Sequence, residues 1–219
     1  MKMQTGQFKE MLKTKPDIFE LADQCINNPD QITMLFDIIN TEKSSIKFTC
    51  EKTIRIISDI EPSALYPYFD RLVSLLDSDN NFILWGAIIS ISDVVCVDID
   101  NKFEKIYEKY FSYLSSPTMI TAANVVQNAY KIIWSKPGLE KDITKKLLNI
   151  ENYTYYIKGE VSEECKNILF GHMLDCFDKY FETSAMKMEI VEFARKQVHN
   201  NRDSTAKKAE KFLKKHNKI

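Results

Sequence analysis

Cys165, His172 and Cys176 stand seven and four residues apart, a spacing that puts all three on one stripe of a single helix and supplies the thiolate and imidazole donors that bind zinc. The same stripe carries Ile168 and Leu169, and no fourth ligand follows at the short paired spacing of a structural zinc site. The expectation is therefore helix packing and no metal. Asp77, Asp79 and Asn81 open like a calcium loop, in which alternate oxygens converge on the ion. The sixth place, which needs glycine, holds Phe82, and the twelfth, which needs glutamate, holds Ile88. The segment reads instead as a solvated turn that caps the helix after it.

Other chemistries are no better supplied. The five glycines are isolated, so no phosphate-cradling loop is present, and neither a nucleophile elbow nor a His-Glu-x-x-His helix occurs. Three histidines offer little acid-base capacity near neutral pH. The carboxylate pairs Asp175 with Asp178 and Glu189 with Glu192 read as exposed helix faces. No catalytic residue and no cofactor is assigned; a site assembled from several helices would leave no local motif, so enzyme activity stays an open alternative.

The elements that must position these residues are helices. A chain of 219 residues with 44% hydrophobic and 28% charged residues can build a sizeable core, while five glycines and six prolines are too few for the turns of a β-rich protein. Five widely spaced cysteines, mostly within apolar runs, suit reduced buried thiols and point to the cytoplasm. No apolar h-region follows Met1, and the longest apolar run, Phe82 to Ile89, is too short to span a bilayer. Neither export nor a membrane partner is expected.

Apolar stripes recur along the chain. Ile46, Cys50, Thr53, Ile54 and Ile57 match Ile83, Ala87, Ser90, Ile91 and Val94 at an offset of 37 residues, the mark of stacked helical hairpins. Further copies start at Thr118, Val161 and Thr205. Each is preceded by a second amphipathic segment behind a start signal: Pro29, Pro62, Asp100, Pro137 and Ser184. The chain thus reads as one repeat domain over 1–219, with an N-terminal cap at 1–28 and helix pairs at 29–60, 61–97, 98–136, 137–183 and 184–219.

The segment Leu75-Leu76-Asp77-Ser78-Asp79-Asn80-Asn81-Phe82-Ile83-Leu84-Trp85-Gly86-Ala87 resembles the turn of a HEAT repeat, and Ile38 to Cys50 keeps the same spacing. That resemblance, to the HEAT-repeat or armadillo-like family, implies an all-α fold, an α-α superhelix or solenoid of about five pairs. HEAT repeats commonly join neighbours by a charged ladder between the turn Asp and a helix Arg. Here the Arg place holds Lys47, Leu84 and Ala206, so apolar stacking is expected to carry most of the stability between pairs.

In such a stack the second helices line a concave face. Counting two, six and nine residues from the start of each stripe gives Phe48, Lys52 and Arg55; Trp85, Ile89 and Ser92; Ile120, Asn124 and Gln127, with Lys131 one turn on; Glu163, Asn167 and Phe170; and Lys207, Lys211 and Lys214. Phe48, Trp85, Ile89 and Phe170 are apolar where solvated helices carry charge, which suits interface anchors or, equally, packing between adjacent helices. The expected function is a non-catalytic scaffold that holds a protein or peptide partner. The lysine-rich C-terminus, Arg202 to Lys218, supports the alternative of nucleic-acid binding, because small HEAT-like proteins include DNA glycosylases that cradle a duplex. The connection from Asn149 to Val161, with Tyr153, Tyr155 and Tyr156, is longer than a repeat turn needs and reads as a contact loop or a packing insertion.

Overall fold

In a computed structural model, which describes residues 4–217, the chain is 79% helical, with two strands of two residues each. It is an all-α protein. Lys218 of the basic run lies outside the described residues, as do Met1 to Met3. The chain divides into two compact units, Met1–Phe103 and Glu104–Ile219.

The N-terminal unit contains α1 (Thr5–Lys13), α2 (Ile18–Ile26), α3 (Pro29–Thr41), α4 (Ile46–Ile60), the short α5 (Pro62–Leu65), α6 (Phe69–Leu75) and α7 (Asn81–Val94). Its start signals act as expected from chemistry. Asp17 accepts hydrogen bonds from the Phe19 and Glu20 amides, and Pro29 and Pro62 occupy first helical positions where no amide donor is needed. The acidic turn before α7 does cap it, through Asn80, whose side chain accepts from the Phe82 and Ile83 amides. Helix α1 has no counterpart in the sequence reading, because only Phe8 and Leu12 mark its buried side.

Helix α4 is the centre of this unit, packing against α2, α3 and α7. Its stripe Ile46, Cys50, Thr53, Ile54 and Ile57 is buried throughout, and so is the matching stripe of α7. The two helices run parallel: Phe48 meets Phe82, Glu51 lies against Gly86, and Ser58 hydrogen-bonds Ser90 and Asp93. The preceding helices repeat the relation, with Arg71 of α6 reaching Asp37 of α3 at 2.5 Å.

Helix α8 (Lys102–Ser112) is followed by α9 (Met119–Ser135), α10 (Glu140–Leu148), a hairpin of β1 (Tyr156–Ile157) and β2 (Glu160–Val161), α11 (Glu163–Tyr180), α12 (Lys187–Gln197) and α13 (Asp203–Lys215). In the C-terminal unit α11 packs between α9 and α13, and α12 packs against α13. The Asn149 to Val161 connection is a packing insertion as well as a loop. Tyr155 is 1% exposed and its hydroxyl donates to the Leu114 carbonyl at 2.6 Å, while Lys158 and Gly159 both take positive φ to close the two-residue turn. Tyr156 and Ile157 remain exposed.

A buried polar network holds the pairs together where side chains are hidden. Glu140 of α10 accepts from Ser184 at 2.5 Å and from Thr144 at 3.1 Å, and Thr144 also meets the Tyr180 hydroxyl at 2.8 Å. Desolvation raises the Tyr180 phenol well above its ordinary range, so it stays protonated.

Ion pairs join non-consecutive helices within each unit. Asp37 pairs with Arg71, Glu108 with Lys146, Glu164 with Arg202, Asp175 with Lys208, and Asp178 with Lys215. All have substantial solvent access, and such pairs contribute about 0 to 1 kcal/mol each. Apolar burial at about 25 cal/mol per Å² remains the larger source of stability.

Candidate functional site

The outward sides of the second helices sort the expected binding residues into two surfaces, one on each unit. On the N-terminal unit the α4–α7 surface carries Phe48, Trp85 and Ile89, all half-buried, together with Phe82, which is 64% exposed. Phe82 is the hub. Its ring stands edge-on to Phe48 at 6.0 Å and to Trp85 at 5.3 Å, the separations at which aromatic pairs attract. The face counted from the stripes omits Phe82, which precedes the first stripe residue of its helix. The aromatic run Phe48, Phe82 and Trp85 at spacings of 34 and 3 was its available signal.

One cation lies against this aromatic group, and two more follow along α4. The Lys47 ammonium lies 5.2 Å from the Phe48 ring centre, and Lys52 is exposed on the same side of α4. Arg55 is half-buried and donates through Nε to Glu51 Oε1 at 3.0 Å. Glu51 itself is buried at 8% exposure. Desolvation raises its carboxyl pKa, and the charge and hydrogen bond of Arg55 pull it back. Ser92, expected on this surface, is 1% exposed and bonds the Ile89 carbonyl, so it belongs to the core.

On the C-terminal unit, Ile120, Asn124, Gln127 and Lys131 form one outward stripe of α9, and Trp134 continues it at 59% exposure. Trp134 stands edge-on to Tyr130 at 4.8 Å, and the Lys179 ammonium of α11 lies 5.8 Å from the Tyr130 ring centre. Gln127 hydrogen-bonds the His172 ring. Burial lowers the His172 pKa, and the nearby Lys208 charge lowers it further, so the ring is neutral at pH 7.

Phe170 is a correction. At 8% exposure it packs edge-on against Phe193 of α12 at 5.5 Å and is part of the core. Helix α11 has neighbours on several sides, so its buried arc is wider than one stripe. Its exposed line passes instead through Glu164, Asp175 and Lys179. Val161, the first residue of the expected stripe, lies in the exposed hairpin at 61% exposure.

The zinc-like trio is likewise divided. Cys165 and Cys176 are buried, the latter with its thiol pushed up to about 12 by desolvation, while His172 faces Gln127. Among the described residues no group of three His, Cys, Asp or Glu side chains is placed to hold a metal.

Helix α13 carries the lysines. Lys207, Lys211 and Lys214 are exposed and line a shallow depression with Glu210, and no ion pair to them occurs among the described residues. Lys208 and Lys215, by contrast, are tied to Asp175 at 2.5 Å and Asp178 at 2.8 Å across a groove between α11 and α13. His216 adds a further tie, its two ring nitrogens lying 2.9 Å from Asp178 and 2.7 Å from Glu182.

No helix among the described residues is long and apolar enough to cross a membrane. No protein-family model matches the chain, and no curated protein matches it.

Proposed function

We propose that the chain is a HEAT-like α-α superhelical scaffold that holds a protein or peptide partner and does no chemistry itself. The observation that carries this reading is the aromatic group of Phe48, Phe82 and Trp85 on the outward side of α4 and α7, with Phe82 at 64% exposure. A large ring left in water forfeits apolar burial that a partner can restore, and aromatic and arginine side chains dominate interface energies. The parallel repetition of helix pairs inside each unit supports the superhelical part of the proposal. The unpaired cysteines, four of them buried, support a reducing compartment such as the cytoplasm.

The test is selection from a displayed random-peptide library. The wild-type chain should enrich peptides with an aromatic or aliphatic anchor, and Phe82→Ala, with its helical circular dichroism intact, should lose at least about 1.4 kcal/mol, or tenfold, in affinity for them. Equal enrichment by wild type and Phe82→Ala would remove this surface from consideration.

A second reading, nucleic-acid binding by the C-terminal unit, draws on the unpaired Lys207, Lys211 and Lys214 and on exposed Trp134 beside Tyr130 and Lys179. Stacking aromatics with lysines is the usual single-strand combination. A labelled oligonucleotide should then bind at low salt and be released as salt rises; unchanged fluorescence anisotropy at the lowest salt would end this reading.

A further inference from the structure

Glu51 is an expensive residue to place between two helices. It lies midway along α4, its side chain about nine-tenths covered, and its one hydrogen bond is the 3.0 Å contact from Arg55 Nε. Helix α7 makes room for it by having glycine at position 86: a Cβ there would lie 1.9 Å from Oε1 of Glu51. A mid-helix glycine and a buried carboxylate both subtract from stability. Helix packing alone is served better by an apolar side chain at 51 and alanine at 86. What the arrangement accomplishes is to fix the Arg55 guanidinium through Nε while leaving both Nη atoms without a protein partner among the described residues. The Arg55 side chain is 39% exposed, so these donors face solvent.

The register of the two helices places this guanidinium. Phe48 meets Phe82, Glu51 meets Gly86 and Ser58 meets Ser90, so Arg55 falls opposite Ile89, about two turns along α4 from the aromatic group. Lys52 is exposed beside it. Further along, Asp59 of α4 is exposed and half-buried Asp93 of α7 accepts from Ser58 at 3.0 Å. The Arg55 guanidinium, with its two Nη groups turned to solvent, matches the charge and planar fork of a carboxylate.

We propose that Arg55, positioned by Glu51 across Gly86, is a carboxylate receptor, and that the α4–α7 surface takes a peptide segment carrying an Asp or Glu close to an aromatic or aliphatic anchor. The anchor packs on Phe48, Phe82 and Trp85, and the carboxylate accepts a forked pair of hydrogen bonds from the two Nη groups. This rests on the scaffold reading above and adds its specificity.

The experiment uses the full chain and three synthetic dodecapeptide arrays that share a Trp or Leu anchor. One fixes Asp or Glu nearby, the second Asn or Gln, the third phosphoserine. Wild type should favour the acidic array over the amide array by about tenfold, and Arg55→Gln should bind those two alike. Glu51→Gln, which keeps the arginine charge but loosens its placement, should lose severalfold of the preference without a lower urea midpoint. A Glu51 with a merely structural role would instead lower the midpoint and spare the preference. Equal wild-type binding to the acidic and amide arrays, a preference surviving in Arg55→Gln, or a stronger preference for phosphoserine would each overturn the carboxylate receptor. In those cases a loss of binding by Phe82→Ala would still uphold the scaffold reading. Absence of binding to every array would overturn both.

Discussion

Gly86 faces Glu51 so closely that a Cβ at position 86 would lie 1.9 Å from the carboxylate oxygen. Alanine is favoured over glycine in a helix interior by about 1 kcal/mol, but here that gain is available only when the side chain at 51 is out of the way. Gly86→Ala should therefore destabilise the wild-type chain and stabilise the Glu51→Ala chain by about 1 kcal/mol. A double-mutant cycle in urea measures the difference, and equal effects in the two backgrounds would mean that these residues do not meet.

Glu51 also gives stability a pH dependence of known sign. Burial raises its folded pKa above the ordinary value of 4.5, so between those two values the folded chain holds more protons than the unfolded one. Its contribution to stability then falls as pH rises through that window and stays lower above it. Glu51→Gln removes this slope, and at neutral pH it should be as stable as wild type or more stable by about 1 kcal/mol. Urea unfolding of both chains across that window reads the difference directly.

Asp178 behaves in the opposite sense. Partial burial pushes its pKa up, but the hydrogen bonds and charges of Lys215 and His216 outweigh burial and leave it below the ordinary 3.8. Its contribution is present above the ordinary carboxylate range and is lost as pH falls through the lowered folded value. Asp178→Asn should flatten the acid limb of the stability profile and leave the Glu51 slope untouched.

The hairpin supplies a test of burial. Tyr155→Phe removes the hydroxyl that serves the Leu114 carbonyl at 2.6 Å, and loss of a buried donor costs about 1 kcal/mol or somewhat more. Gly159→Ala, at φ 84, should cost about 1 kcal/mol through backbone strain. Shifts in urea midpoint check both, and a neutral Tyr155→Phe would place that hydroxyl in water.

The sequence made some of this surface legible and hid the rest. The stripes of α4 and α7 could be read because the 3.6-residue rhythm runs through both helices, although α7 buries a wider arc that takes in Leu84, Ile88 and Ser92. Phe48, Arg55, Trp85 and Ile89 followed by counting across to the other side. Phe170 did not, because α11 is enclosed by more than one neighbour and a one-sided rule fails for such a helix. The meeting of Glu51 with Gly86 was hidden for a different reason: it depends on the register between two helices, which neither helix encodes alone. An isolated glycine within an apolar helical run was its signal, since such a glycine often marks a close approach.

The cysteines divide the chain by chemical access. Cys25, Cys50, Cys165 and Cys176 are buried, and desolvation pushes the thiols of Cys25, Cys50 and Cys176 up to about 12, whereas Cys96 is exposed. Because the thiolate is the reactive form, a brief alkylation pulse should mark Cys96 first and reach the others only when their helices part. Cys25 and Cys50 lie in one unit and Cys165 and Cys176 in the other. Mass spectrometry of the labelled peptides then clocks the opening of each unit separately, turning four silent side chains into two internal timers.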